Sequence, residues 1–113
     1  MAKILICICS KDIKKLKITL DSLIELKLNN KDIIEFIIVD NSKNLKIKNY
    51  CKNINLINKV KINYFHFIKK GIPNLRNKCL KESKKIKSNY ISFVDDDSII
   101  PKDWLLNHLK IFK

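Results

Sequence analysis

The 113-residue chain carries 24 Lys+Arg against 11 Asp+Glu, a formal net charge of +13, with 46% hydrophobic residues, one Gly and two Pro. That length gives one small domain with a modest core, and an apolar content this high with so little Gly and Pro excludes a disordered chain. No apolar run approaches the ~20 residues of a membrane span, and residues 1 to 9 hold no signal-peptide cleavage pattern, so a cytoplasmic location is expected.

The basic excess is almost all lysine, spread along the chain rather than gathered into a block. It reads as solvated faces, with no nucleic-acid partner expected. Lys, Ile and Asn dominate together, as A/T-rich coding would produce. Against this background Arg76 is the single arginine, five residues after the single glycine, Gly71. A lone arginine among lysines points to a planar fork that lysine cannot imitate.

In chain order, "KILICIC" (3–9) is continuously apolar, the pattern of a strand buried on both faces of a parallel sheet. "SKDIKKLKITLDSLIELKL" follows with Ile13, Leu16, Leu20, Leu23 and Ile24 at helical spacing, and with Ser10 or Asp12 as N-cap. "IIEFIIVD" (33–40) is a second buried strand. "NSKNLKIKNYCKN" reads as a short helix or an irregular crossover. "VKINYFHF" (60–67) is rich in β-branched and aromatic residues and forms a third strand. A helix then starts at Pro73, with Leu75, Cys79, Ser83 and Ile86 on one face. "YISFV" (90–94) is a fourth strand, and 101–113 opens a further helix.

Four strand–helix alternations give an α/β fold: a Rossmann-like, mostly parallel sheet flanked by helices. Ligands of such sheets bind outside the carboxyl ends of the strands. Ser10, Asp40 and the triplet Asp95, Asp96 and Asp97 each follow a strand directly, so they share one rim.

Three of the eleven acids sit side by side in that triplet. In an extended turn Asp95 and Asp97 point one way and Asp96 the other. Two carboxylates on one side suit a hard divalent cation such as Mn²⁺ or Mg²⁺, which relieves their repulsion; the plainer reading is a solvated turn with a cap. Asp40 reads equally as a turn residue or as a contact for a nucleoside hydroxyl. Arg76 lies in the first turns of a helix whose N-terminus faces the rim, a setting suited to anions.

His66 reads as a packed or edge residue and His108 as a surface one. With one glycine there is no P-loop, G-x-G-x-x-G or G-x-S-x-G. Cys7 and Cys9 fall on one face of their strand, and the spacing to Cys51 and Cys79 matches no zinc pattern, so all four are read as reduced thiols.

"ILICICSKD", "EFIIVDNSKN", "GIPNLRNKCL" and "SNYISFVDDDSIIPKDWL", in that order and spacing, resemble the nucleotide-binding half of family 2 glycosyltransferases, which have the GT-A fold. The resemblance runs over essentially the whole chain, 1–113, read as a single domain without the acceptor-binding half. It implies inverting transfer of a sugar from a nucleotide-diphosphate donor to an envelope glycan or a lipid-linked acceptor. Asp40 of "VDNS" would contact base or ribose, Arg76 the nucleotide, and Asn77 would shape the helix start. In the D-x-D block Asp97, with Asp95, would bind Mn²⁺ or Mg²⁺, while Asp95 and Asp96 would meet sugar, ribose or metal-bound water. Ser10 falls on the donor side. Where the family reads threonine, an aromatic, asparagine and a basic residue, this chain has Ser10, Lys11, Asp12 and Ile13. The family's catalytic base lies in the absent half, so no catalytic residue is assigned.

Two rivals stand beside this reading. One is a Mg²⁺-dependent phosphoryl-transfer site built on the same acids. The other is a non-catalytic module that binds nucleic acid or membrane through its lysines, with steep salt dependence. Peripheral association with the inner membrane surface is compatible with the glycosyltransferase reading as well.

Overall fold

A computed structural model describes residues 3–24, 33–57, 61–68, 71–88 and 90–96. Strands β1 (Lys3–Ser10), β2 (Ile33–Asp40), β3 (Lys61–His66) and β4 (Tyr90–Asp95) alternate with helices α1 (Ile13–Ile24), α2 (Lys46–Ile57) and α3 (Ile72–Ser83). All pairings are parallel, and the strand order is β3-β2-β1-β4. The expected α/β architecture is therefore found. Parallel neighbours require crossovers, and the helices supply them.

β1 is central because both of its faces are covered. Ile4, Ile6 and Ile8 pack with Phe36 and Ile38 beneath α1 and α2, through Leu16, Leu20, Leu23, Ile47 and Cys51. Leu5 and Cys7 on the opposite face pack with Ile37 and Val39 beneath Cys79 of α3. Period-2 alternation thus sorts one unbroken apolar run into two cores. Each fully buried leucine or isoleucine contributes on the order of 1.5–3 kcal/mol.

Helix starts follow local chemistry. The Asp12 carboxylate accepts the Lys14 and Lys15 amides at 2.9 and 3.4 Å, so Asp12 rather than Ser10 caps α1. Before α3, Gly71 has φ 104°, a conformation open to glycine and costly for other residues. That requirement accounts for the chain's one glycine.

The segment after β2 folds as a regular twelve-residue helix, resolving the choice between short helix and irregular crossover. Its stripe is narrow: Ile47 and Cys51 are buried, and Tyr50 and Ile54 pack partly against them. Lysine and asparagine fill the intervening positions and mask the period. The helix expected over 101–113, with His108, lies outside the described residues.

Order β3-β2-β1-β4 has a consequence for ligands. The chain winds outward from β1 to β3 and then returns to place β4 on the other side of β1, which puts the topological switch between β1 and β4. A crevice outside the carboxyl ends of these two strands is where open α/β sheets receive ligands.

Candidate functional site

The rim is held together by main-chain bonds that continue the ladder past the strand ends. The Asn41 amide donates to the Ser10 carbonyl at 2.8 Å, and the Phe67 amide donates to the Asp40 carbonyl at 2.9 Å. Asn41 Nδ2 donates to the Phe67 carbonyl at 2.6 Å. His66 Nε2 donates to the Ser42 carbonyl at 2.7 Å, so this imidazole supports the loop after β2.

Between β1, β4 and the first turns of α3 lies a cavity of about 190 Å³, lined by residues that include Cys9, Arg76, Phe93, Asp95 and Asp96. Arg76 is exposed, with its guanidinium 5.8 Å from the centre of the Phe93 ring. No carboxylate pairs with it among the described residues. A wider cleft of about 420 Å³ on the β3 side is lined by Asn74, Asn77, Lys78 and Lys81 among others, and it holds no acid.

Carboxylates are few, and nearly every described one is committed elsewhere. Asp12 caps α1, and Asp21 bonds Tyr50. Glu35 takes Lys3, Lys61 and Asn63; Glu82 takes Lys78 and Lys85. Asp40, fully buried, accepts the Ser42 amide at 2.8 Å and the Tyr64 hydroxyl at 2.5 Å. Asp96 accepts the Ser10 hydroxyl at 2.8 Å. Asp95 alone among the described acids has no partner, and it is exposed at the cavity.

The structure thus divides the sequence-predicted residues into two groups. Arg76, Asp95 and Asp96 meet at the cavity, with Ser10 directly behind Asp96. Asp40 does not line it; its carboxylate faces inward to Tyr64 and Ser42. Asp97 lies outside the described residues. Among those described, no group of three or more His, Cys, Asp or Glu side chains is arranged to hold a metal ion. A hard divalent cation takes carboxylate oxygens, and within these residues Asp95 is the open one.

Three contributors escaped the sequence reading. Thr19, buried in the α1 stripe, donates to the Asp96 carbonyl at 2.8 Å. Phe93 stacks under Arg76. Cys79, distant in sequence, brings its sulfur to 3.5 Å from that of Cys9 at the cavity wall. The Cys9 thiol is pushed up by that hydrogen bond first and by burial second. Cys79 is raised to about 12 through its bond with Cys7 and through burial. Both remain neutral thiols at ordinary pH.

A parallel sheet with a charged crevice at its switch point defines a Rossmann-like α/β domain. The family comparison narrows that class: the model of Glycosyl transferase family 2 matches residues 3–113, and the chain belongs to that family. Among solved structures, Staphylococcus aureus TarS 1–349 superposes with a TM-score of 0.76 at 21% identity, over 99% of this chain and 32% of that one. The same TarS fragment in complex with UDP-GlcNAc gives a TM-score of 0.73 at 21% identity, covering 99% and 31%. A TarS structure not limited to residues 1–349 gives 0.76 at 21% identity, covering 97% and 19%. At this identity the likeness shows a shared fold, and the chain spans about a third of TarS 1–349. No curated protein matches the sequence.

Proposed function

We propose that the cavity between β1, β4 and α3 binds the nucleoside diphosphate of a sugar donor. The domain then serves as the donor-binding part of a metal-dependent, inverting glycosyltransferase acting on a glycan or lipid-linked envelope acceptor. One observation carries this reading: the only described carboxylate without a partner, Asp95, and the only arginine, Arg76, line the same cavity, neither of them in a described ion pair. Two unlike charges left open across a cleft suit a ligand that bears both an anion and a bound cation.

In this reading Arg76 and the N-terminal turn of α3 face the phosphates, where fork geometry and the helix dipole both favour an anion. Asp95 and Asp97 would hold Mn²⁺ or Mg²⁺, and the chemistry such an ion supplies when bound is neutralisation of the departing diphosphate. Asp96 and Ser10 orient the turn, and Asp40 acts through the loop it braces. Transfer also needs a general base for the acceptor hydroxyl. No described carboxylate is free for that role once Asp95 is assigned to the donor, so base and acceptor contacts are allotted to sequence outside this domain. The working location is the cytoplasmic side of the membrane, with lysine-rich faces giving peripheral contact.

The test is calorimetric titration with UDP, GDP, CMP and dTDP, each with and without Mn²⁺, on the wild type and on Asp95→Asn. UDP comes first, because TarS has been solved with UDP and with UDP-GlcNAc. Metal-dependent binding of one nucleotide, weakened at least about tenfold in Asp95→Asn, is the expected result. Binding of no nucleotide, or equal binding without metal and in the variant, would overturn the reading.

A further inference from the structure

Thr19 sits in the apolar stripe of α1 between Leu16, Leu20 and Leu23, all fully buried like Thr19 itself. A hydroxyl at such a position is costly unless it is hydrogen-bonded. Helical serine and threonine usually satisfy themselves on a carbonyl one turn back. Two of the described residues do so: Ser22 donates to the Thr19 carbonyl and Ser83 to the Leu80 carbonyl, both at 2.7 Å. Thr19 departs from that pattern. Its hydroxyl crosses to the turn after β4 and donates to the Asp96 carbonyl, 77 residues away in sequence.

We infer that Thr19 is a positioning residue for the donor site, acting through the main chain of Asp96. The inference rests on the donor-binding reading given above. Asp96 is gripped at two points, its carbonyl by Thr19 and its carboxylate by Ser10. Ser10 is itself fixed, since its hydroxyl oxygen accepts the Asp12 amide at 3.2 Å. Asp95 and Asp96 both line the cavity with Arg76, but the Asp96 carboxylate is taken by the Ser10 hydroxyl while that of Asp95 is left open. The two hydroxyls therefore keep the Asp96 carboxylate engaged and leave Asp95 as the open acid at the cavity. Removing the Thr19 hydroxyl frees the Asp96 carbonyl, loosens the turn and lets the Asp96 carboxylate leave Ser10, so that Asp95 is no longer held in one arrangement at the cavity.

Three variants separate this role from packing. Thr19→Val keeps the shape and loses the hydroxyl, whereas Thr19→Ser and Thr19→Ala both lose the methyl and differ only in the hydroxyl. Each is titrated with UDP and Mn²⁺, and the ¹³C shift of the Asp96 carbonyl is read by NMR without ligand. The expected result is about tenfold weaker binding in Val and Ala, an Asp96 carbonyl shift moved in both, and near wild-type values in Ser. If Val does not fold, the Ser and Ala pair decides alone. Equal binding by Ser and Ala, or wild-type binding by Val, would reduce Thr19 to a packing residue. A wild type that binds no nucleotide would instead overturn the donor reading, and this inference with it.

Discussion

Tyr64 closes off Asp40. Its hydroxyl donates to Asp40 Oδ2 at 2.5 Å, while the Ser42 amide holds Oδ1 at 2.8 Å. The phenol is pushed up first by burial and then by this bond to the carboxylate, so it stays protonated and remains the donor throughout the ordinary pH range. Replacing it removes a partner from a carboxylate with no solvent access. Tyr64→Phe is expected to destabilise the domain by about 1.5–3 kcal/mol, the range for a lost hydrogen bond to a charged group. Urea unfolding followed by circular dichroism reads this directly. A variant as stable as the wild type would mean that Asp40 finds another donor.

At the other end of the sheet Glu35 performs a structural task. It is buried in β2 and takes Lys3 at 2.8 Å, Lys61 at 3.7 Å and Asn63 at 2.9 Å, joining β1, β2 and β3. Burial raises its pKa, but the hydrogen bonds from Lys3 and Asn63 and the two lysine charges outweigh it, so the net shift is downward. A carboxyl lowered on folding adds stability above its unfolded value, and that stability is lost as pH falls through the lowered folded value. Glu82 is lowered as well, chiefly by its bond to Lys78. Urea midpoints should therefore hold from pH 7 to about pH 5 and fall below the ordinary glutamate value of 4.5. In Glu35→Gln the acid limb should be shallower and the neutral-pH midpoint lower. An unchanged acid limb would assign the loss to other carboxylates.

The sheet was legible because its signal is carried by composition within short runs. "ILICIC" and "IIEFIIV" can only be buried on both faces, and their order with the intervening helices dictates parallel pairing. α2 was half hidden, since lysine and asparagine separate Ile47 from Cys51. At the site, strand ends placed Ser10, Asp40 and the aspartates on one rim, and that much alternation can predict. Which carboxylates stay open is a different matter. Asp40 and Asp96 are committed by Tyr64 and Ser10, residues 24 and 86 positions away, and no local pattern encodes such pairings. Thr19 left one visible trace, a polar residue inside an apolar helical stripe.

The cysteines offer a test that needs no ligand. Cys7, Cys51 and Cys79 are buried, and all four cysteines are free thiols. Cys51 is raised to about 12, by burial and then by the charge of Asp40, and Cys79 to about 12. Reactivity follows the thiolate fraction, which for these groups is very small at pH 8. Ellman's reagent at pH 8 should thus label the native chain slowly, and should label all four thiols rapidly in denaturant. Fast native labelling of Cys9 would show that its contact with Cys79 opens readily.

Arg76→Lys separates charge from geometry at the cavity. The substitution keeps one positive charge but removes the planar fork and most of its stacking on Phe93, which lies 5.8 Å away. Because Arg76 is exposed and in no described ion pair, stability should change by less than about 0.5 kcal/mol. Nucleotide affinity should drop by about tenfold, the cost of exchanging bidentate phosphate contacts for a point charge. Raising the salt should weaken both proteins in parallel, since the net charge is the same. Titration of UDP with Mn²⁺ at two salt concentrations checks both expectations. If Arg76→Lys binds as tightly as the wild type, the role of this position is charge alone, and the surrounding lysines become its equals.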